Sequence, residues 1–174
     1  APFFGEYRNY VSNFDGKIVV VPPDTTTFQP NMEALKAALT SRTKAVIINS
    51  PNNPTGVIYS DNTLKQLTSI LEEAQGTFGT SIYLISDEPY REIAYDNATV
   101  PYALHYYKNT FIGYSYSKSL SLPGERIGYI VVPNEMADCD DVMSALNVAN
   151  RILGFVNAPS LFQKVIGKCI ESEV

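Results

Sequence analysis

The chain has 174 residues, 45% hydrophobic and 18% charged, a globular composition able to bury one core. A net charge of −5 without any Lys/Arg run argues against a nucleic-acid groove. No apolar stretch approaches the ~18 residues of a membrane span, and APFFGEYRNY lacks the charged and apolar regions of a secretory leader.

In chain order, the first apolar β-branched run is 17–21 (KIVVV), predicted as a strand. A helix is predicted over 31–39, with Met32, Leu35, Ala38 and Leu39 on one side. The strand 45–49 (AVIIN) follows. Then comes a helix over 61–75, with Asp61 as N-cap and Leu64, Leu67, Ile70 and Leu71 at helical spacing. Strands are predicted at 82–86 (IYLIS), 110–114 (TFIGY) and 127–132 (IGYIVV), and helices at 135–151 and 159–171. The strand runs are continuously apolar, the pattern of strands covered on both faces. Strand–helix alternation predicts a three-layer α/β/α fold around a mostly parallel sheet. Only twelve residues separate Tyr114 from Ile127, too few for a helical crossover, so the last strand is predicted antiparallel. There is no internal repeat or domain linker. The two cysteines, Cys139 and Cys169, read as thiols in a reducing compartment, and the one histidine, His105, cannot build a metal cluster.

In open α/β sheets, ligands collect beyond the carboxyl ends of the strands. Here AVIIN is followed by SPNNPTG (50–56), IYLIS by DEPY (87–90), and TFIGY by SYSK (115–118). Taken singly, each residue has an ordinary reading. Asp87 would be a loop carboxylate, Asn53 a turn residue, Lys118 a surface amine, Ser115 and Ser117 turn formers and Arg126 a surface charge. Together they form a chemical set. A lysine whose pKa is lowered by burial or neighbouring cations forms Schiff bases with aldehydes. A pyridine aldehyde becomes an electron sink when a carboxylate keeps its ring nitrogen protonated, and it needs donors for its ring oxygen and a hydroxyl and arginine for its phosphate.

SPNNPTG, SDEPY and SYSKSLSLPGERIGY resemble the three signature segments of class I/II aminotransferases, the fold type I enzymes that use pyridoxal 5′-phosphate (PLP). Their order and separations match: 34 residues from Asn53 to Asp87, then 31 to Lys118. PFFGEY resembles a further segment of the family. The resemblance implies that Lys118 forms the Schiff base and shuttles protons, and that Asp87 pairs with the pyridinium nitrogen. It implies that Tyr90 and Asn53 bond the ring 3-oxygen, and that Ser115 and Arg126, with Ser117 as a weaker candidate, bind the phosphate. It gives the asparagine of N-P-T-G a further part near the substrate carboxylate. The implied activity is transfer between an amino acid and a 2-oxo acid, in a cytoplasmic homodimer without nucleic-acid or membrane partners. Carbon–sulfur β-lyases, decarboxylases and aminocyclopropane-carboxylate synthases share these segments, and a PLP-sensing module of a transcription regulator is the non-enzymatic alternative.

Family members are considerably longer. The resemblance places the phosphate-cupping loop, the ring-stacking aromatic and a tyrosine reaching the neighbouring subunit upstream of residue 1. It places the small domain, with its substrate-carboxylate arginine, downstream of Val174. On that reading, residues 1–174 are the central part of the PLP-binding large domain, a fragment expected to be inactive alone.

Overall fold

The computed structural model describes residues 2–172 of the chain. Four strands build one sheet: β1 (Ala45–Asn49), β2 (Tyr83–Asp87), β3 (Thr110–Ser115) and β4 (Gly128–Val131), side by side in that order. β1, β2 and β3 pair in parallel, and β4 runs antiparallel to β3. The mostly parallel α/β fold with a reversed last strand is therefore as predicted.

Six α-helices accompany the sheet: α1 (Tyr7–Ser12), α2 (Met32–Ala38), α3 (Asp61–Phe78), α4 (Tyr116–Ser119), α5 (Cys139–Ile152) and α6 (Ser160–Ile170). Helices α1 and α4 have no counterpart among the predicted elements. α3 is capped one residue earlier than predicted. Ser60 Oγ accepts from the Thr63 amide at 3.1 Å, so Asp61 is the first helical residue, favourably placed in the positive first turn. The helix stops at Gly79, whose φ of 63° is the left-handed conformation glycine adopts without penalty.

Helices α2 and α3 close one face of the sheet. Leu35, Leu64, Leu67 and Leu71 pack on Ile48 and Leu84, and Tyr107 joins the cluster. Burial alternates along β2 and β3, where Leu84, Ser86, Thr110, Ile112 and Tyr114 are the buried set. The sequence reading of strands covered on both faces is thus corrected: these strands are fully buried on the α2–α3 side only, and β4 is exposed throughout. The opposite face carries Tyr83, Ile85 and Asp87. It is reached by α1 and by the residue preceding α5, where the Tyr83 hydroxyl donates to Asp138.

The run 17–21 forms no strand. Val19 is 63% exposed, and the only backbone bridge nearby joins Pro23 to Pro30. Apolar β-branched residues favour extended backbone, but a strand needs a partner, and the Pro22–Pro23 pair that follows supplies no amide donors. The last two helices lie close to their predicted places. Their apolar side chains Met143, Val148, Ile152, Leu161, Val165 and Ile170 are exposed or nearly so. No helix among the described residues is long and apolar enough to cross a membrane.

Candidate active site at the strand carboxyl ends

Pairing aligns Asn49 with Asp87 and Asp87 with Gly113, so the carboxyl ends of β1, β2 and β3 form one edge. Side chains alternate along a strand, so Ser115, two residues past Gly113, shares a sheet face with Asp87.

The loop 50–56 is stitched to this edge by Asn49. Its Nδ2 donates to the Asp87 carbonyl at 2.9 Å, and its Oδ1 accepts from the Asn53 amide at 3.0 Å. The turn closes on itself through the Gly56 amide to the Asn52 carbonyl at 2.7 Å and Thr55 Oγ1 to Asn52 Oδ1 at 2.8 Å. Asn53 is thereby turned toward the β2 loop, where its Nδ2 donates to the Tyr90 hydroxyl at 2.8 Å.

Asp87 is partly buried, and its Oδ2 accepts from the Tyr7 hydroxyl. Burial pushes the Asp87 carboxyl above its ordinary range, and the Tyr7 bond pulls in the other direction. Tyr7 is pushed up in turn, first by burial and then by the carboxylate it faces. Its ring sits between Phe3, stacked at 6.3 Å, and Phe4, edge-on at 5.7 Å.

Ser115 caps α4. Its Oγ accepts from the Ser117 amide at 3.2 Å and lies 2.6 Å from Ser117 Oγ. Arg126 follows the turn Pro123–Glu125 in a left-handed conformation, with Nη1 donating to the Pro123 carbonyl at 2.9 Å. Ser115, Arg126, Ile127 and Gly128 line a pocket of about 180 Å³. Gly128 makes this closeness possible, because a Cβ there would stand 2.2 Å from the Tyr114 carbonyl oxygen. Lys118 lies on α4, exposed, and its side chain makes no hydrogen bond or ion pair among the described residues. The burial that sequence reasoning invoked for this amine is absent here, since α4 is a single turn standing outside the strand end. The helix is tethered from the other side: the Tyr114 hydroxyl donates to Glu92 Oε2 at 2.7 Å and lies 2.7 Å from Ser119 Oγ.

Of the predicted residues, Asn53 and Tyr90 touch, Ser115 and Ser117 touch, and Arg126 shares a pocket with Ser115. Asp87 lies on the same edge, and the Lys118 amine has no hydrogen bond or ion pair with any of the others among the described residues. Sequence reasoning missed Asn49, although a polar residue closing an apolar strand just ahead of the SPNNPTG loop was a usable signal. It also missed the contact of Tyr7 with Asp87, for which a separation of 80 residues gives no local signal.

The model of the family described as aminotransferase class I and II matches residues 1–173. A probable aspartate/prephenate aminotransferase of Aquifex aeolicus is 36% identical over 155 residues, covering 86% of this chain and 38% of that protein. A probable N-acetyl-LL-diaminopimelate aminotransferase of Bacillus subtilis is 31% identical, covering 78% and 33%. Among solved structures, an amino transferase from Eubacterium rectale superposes with a TM-score of 0.95 at 51% identity, covering 97% of this chain and 42% of that one. The chain thus spans roughly two fifths or less of the length of these relatives.

Proposed function

Since this chain belongs to the class I and II aminotransferase family, we propose that the full-length protein is a PLP-dependent aminotransferase exchanging an amino group between an amino acid and a 2-oxo acid. Residues 1–174 are then part of its PLP-binding large domain. The reading includes a cytoplasmic homodimer, in keeping with two free cysteines.

What supports the reading is the gathering, at the carboxyl ends of adjacent strands, of a recessed carboxylate, a paired amide and phenol and a serine–arginine pocket, with Lys118 on the helical turn that follows β3. This donor set suits PLP. Asp87 would hold the ring nitrogen, Asn53 and Tyr90 the ring 3-oxygen, Ser115 and Arg126 the phosphate with Ser117 beside them, and Lys118 the aldehyde carbon. When bound, PLP supplies an aldehyde that condenses with amines and a protonated ring that withdraws electrons.

The chain's own residues do the rest. Asp87 would favour a proton on the ring nitrogen, because a partly buried carboxylate facing a cationic N–H is stabilised by that contact. Asn53 and Tyr90 would present N–H and O–H donors to the ring oxygen. Arg126 and Ser115 would meet the phosphate with a charged fork and a hydroxyl. Lys118 Nζ, once released from the aldehyde carbon by the substrate's amino group, would be the neutral base that takes the proton from the substrate Cα.

The test is chemical trapping. Full-length protein incubated with PLP, reduced with borohydride and digested should carry the pyridoxyl group on the peptide containing Lys118. Lys118→Ala should lose both the label and turnover, the latter by about 10²-fold or more. Labelling at another lysine, or near-normal turnover of the variant, would sink the reading.

A further inference from the structure

The loop after β2 holds a buried ion pair that the proposed chemistry does not use. Glu88 is 2% exposed. Its carboxylate accepts from Ser86 Oγ and from Arg91 Nε, both at 2.7 Å, and Arg91 Nη2 is 2.6 Å away. The Glu88 amide donates to the Gly113 carbonyl at 2.9 Å, locking the same residue to β3 through its backbone. Arg91 reaches further. Nη1 donates to the Val100 carbonyl at 2.6 Å and Nη2 to the Pro101 carbonyl at 3.0 Å, while the guanidinium lies 3.7 Å from the Tyr102 ring centre.

Stability alone is a poor account of such a pair. Removing two charges from water is costly, and well-packed apolar residues often serve as well. What the pair brackets is more telling. Tyr90 lies between Glu88 and Arg91, with φ −111° and ψ 8°. Its hydroxyl has one hydrogen bond among the described residues, from Asn53 Nδ2. A partly exposed ring with a single polar contact is aimed chiefly by its backbone. Here that backbone is fixed two residues before by Glu88 and one residue after by Arg91.

We infer that the Glu88–Arg91 pair is a positioning device for Tyr90, holding its phenol against Asn53 at the edge that Asp87 and Lys118 share. The inference rests on the site reading above, in which that phenol meets the cofactor's ring oxygen. Small displacements of such donors weaken what they bind.

A double-mutant cycle on the full-length protein tests it. The readouts are equilibrium affinity for PLP and thermal melting of the cofactor-free protein. Tyr90→Phe alone should weaken PLP binding about tenfold, the loss of one hydrogen bond to a charged oxygen. Glu88→Gln should weaken binding by about tenfold in the wild-type background but less than about twofold beside Tyr90→Phe, because no phenol remains to be placed. A merely structural pair would lower melting without this non-additivity. Multiplying effects, or unchanged affinity in Glu88→Gln, overturn the inference while leaving the site reading intact. If Glu88→Gln does not fold, Arg91→Lys gives the same cycle, keeping a cation but not the fork that spans Glu88, Val100 and Pro101. Failure of both variants to fold would make the pair a folding element and overturn the inference. Unchanged affinity in Tyr90→Phe would remove Tyr90 from the site and take the inference with it.

Discussion

At the scale of single residues, the contact between Tyr7 and Asp87 has a definite pH signature. Burial raises the Asp87 pKa and the Tyr7 hydrogen bond opposes that rise. Only the ionised carboxylate can hold a cationic ring N–H, so cofactor affinity should be full above the Asp87 pKa and fall as pH drops through it. Tyr7→Phe removes the opposing bond, so the fall should move to higher pH. The expected result is PLP binding several-fold weaker than wild type at the acidic end of the profile and almost unchanged at its alkaline end. A uniform loss across that range would show that Tyr7 acts through packing, and no loss would dismiss it. The residues beside it show what the sequence could disclose. Asp87, Asn53 and Tyr90 stand in segments whose spelling carries their chemistry. Tyr7 acts through a partner 80 residues away, a contact that leaves no periodic or local trace, whereas Asn49 left one in the polar residue that closes an apolar strand.

Among the elements, β1, β2, β3 and the helices α2, α3, α5 and α6 were legible because apolar periodicity and caps are written within a few residues. The run 17–21 misled because it satisfies the composition of a strand yet leads into Pro22–Pro23, which supply no amide donors to a ladder. The antiparallel placement of β4 was legible from connection length, but not its tight approach to β3. That approach depends on Gly128, whose added Cβ would strike the Tyr114 carbonyl. Backbone is the obstacle, so the clash cannot be relieved by a side-chain rotation. Gly128→Ala should cost about 1–3 kcal/mol of stability as the strands part. It should also widen the pocket between Ser115 and Arg126, so PLP affinity should fall by more than melting temperature alone explains. Unchanged melting and affinity would count against this account of the strand pair.

Taken whole, the 174-residue chain carries a large share of exposed apolar surface. Ile152, Leu153, Phe155, Val156, Leu161 and Ile170 lie bare at its last two helices, as do Tyr129, Ile130 and Val131 on β4. Monomeric proteins seldom tolerate such patches, and an open strand edge invites pairing. Purified by itself, this chain should self-associate in sedimentation, and it should form no more than a weak, reversible adduct with PLP and turn over no amino acid. A monodisperse monomer with transaminase turnover would contradict both expectations. The order of the strands bears on a different matter, the way the sheet is assembled. Each strand neighbours the one made before it, so none has to be threaded between two already paired. Closing a loop costs only about 0.6 kcal/mol more for each doubling of its length, so no later pairing faces a steep entropic barrier. Within this four-stranded sheet, β2 can therefore add to β1, β3 to β2, and β4 fold back on β3 in the order of the chain. Each of these three strands then finds its partner already in place, which shortens the time its own backbone is left unpaired.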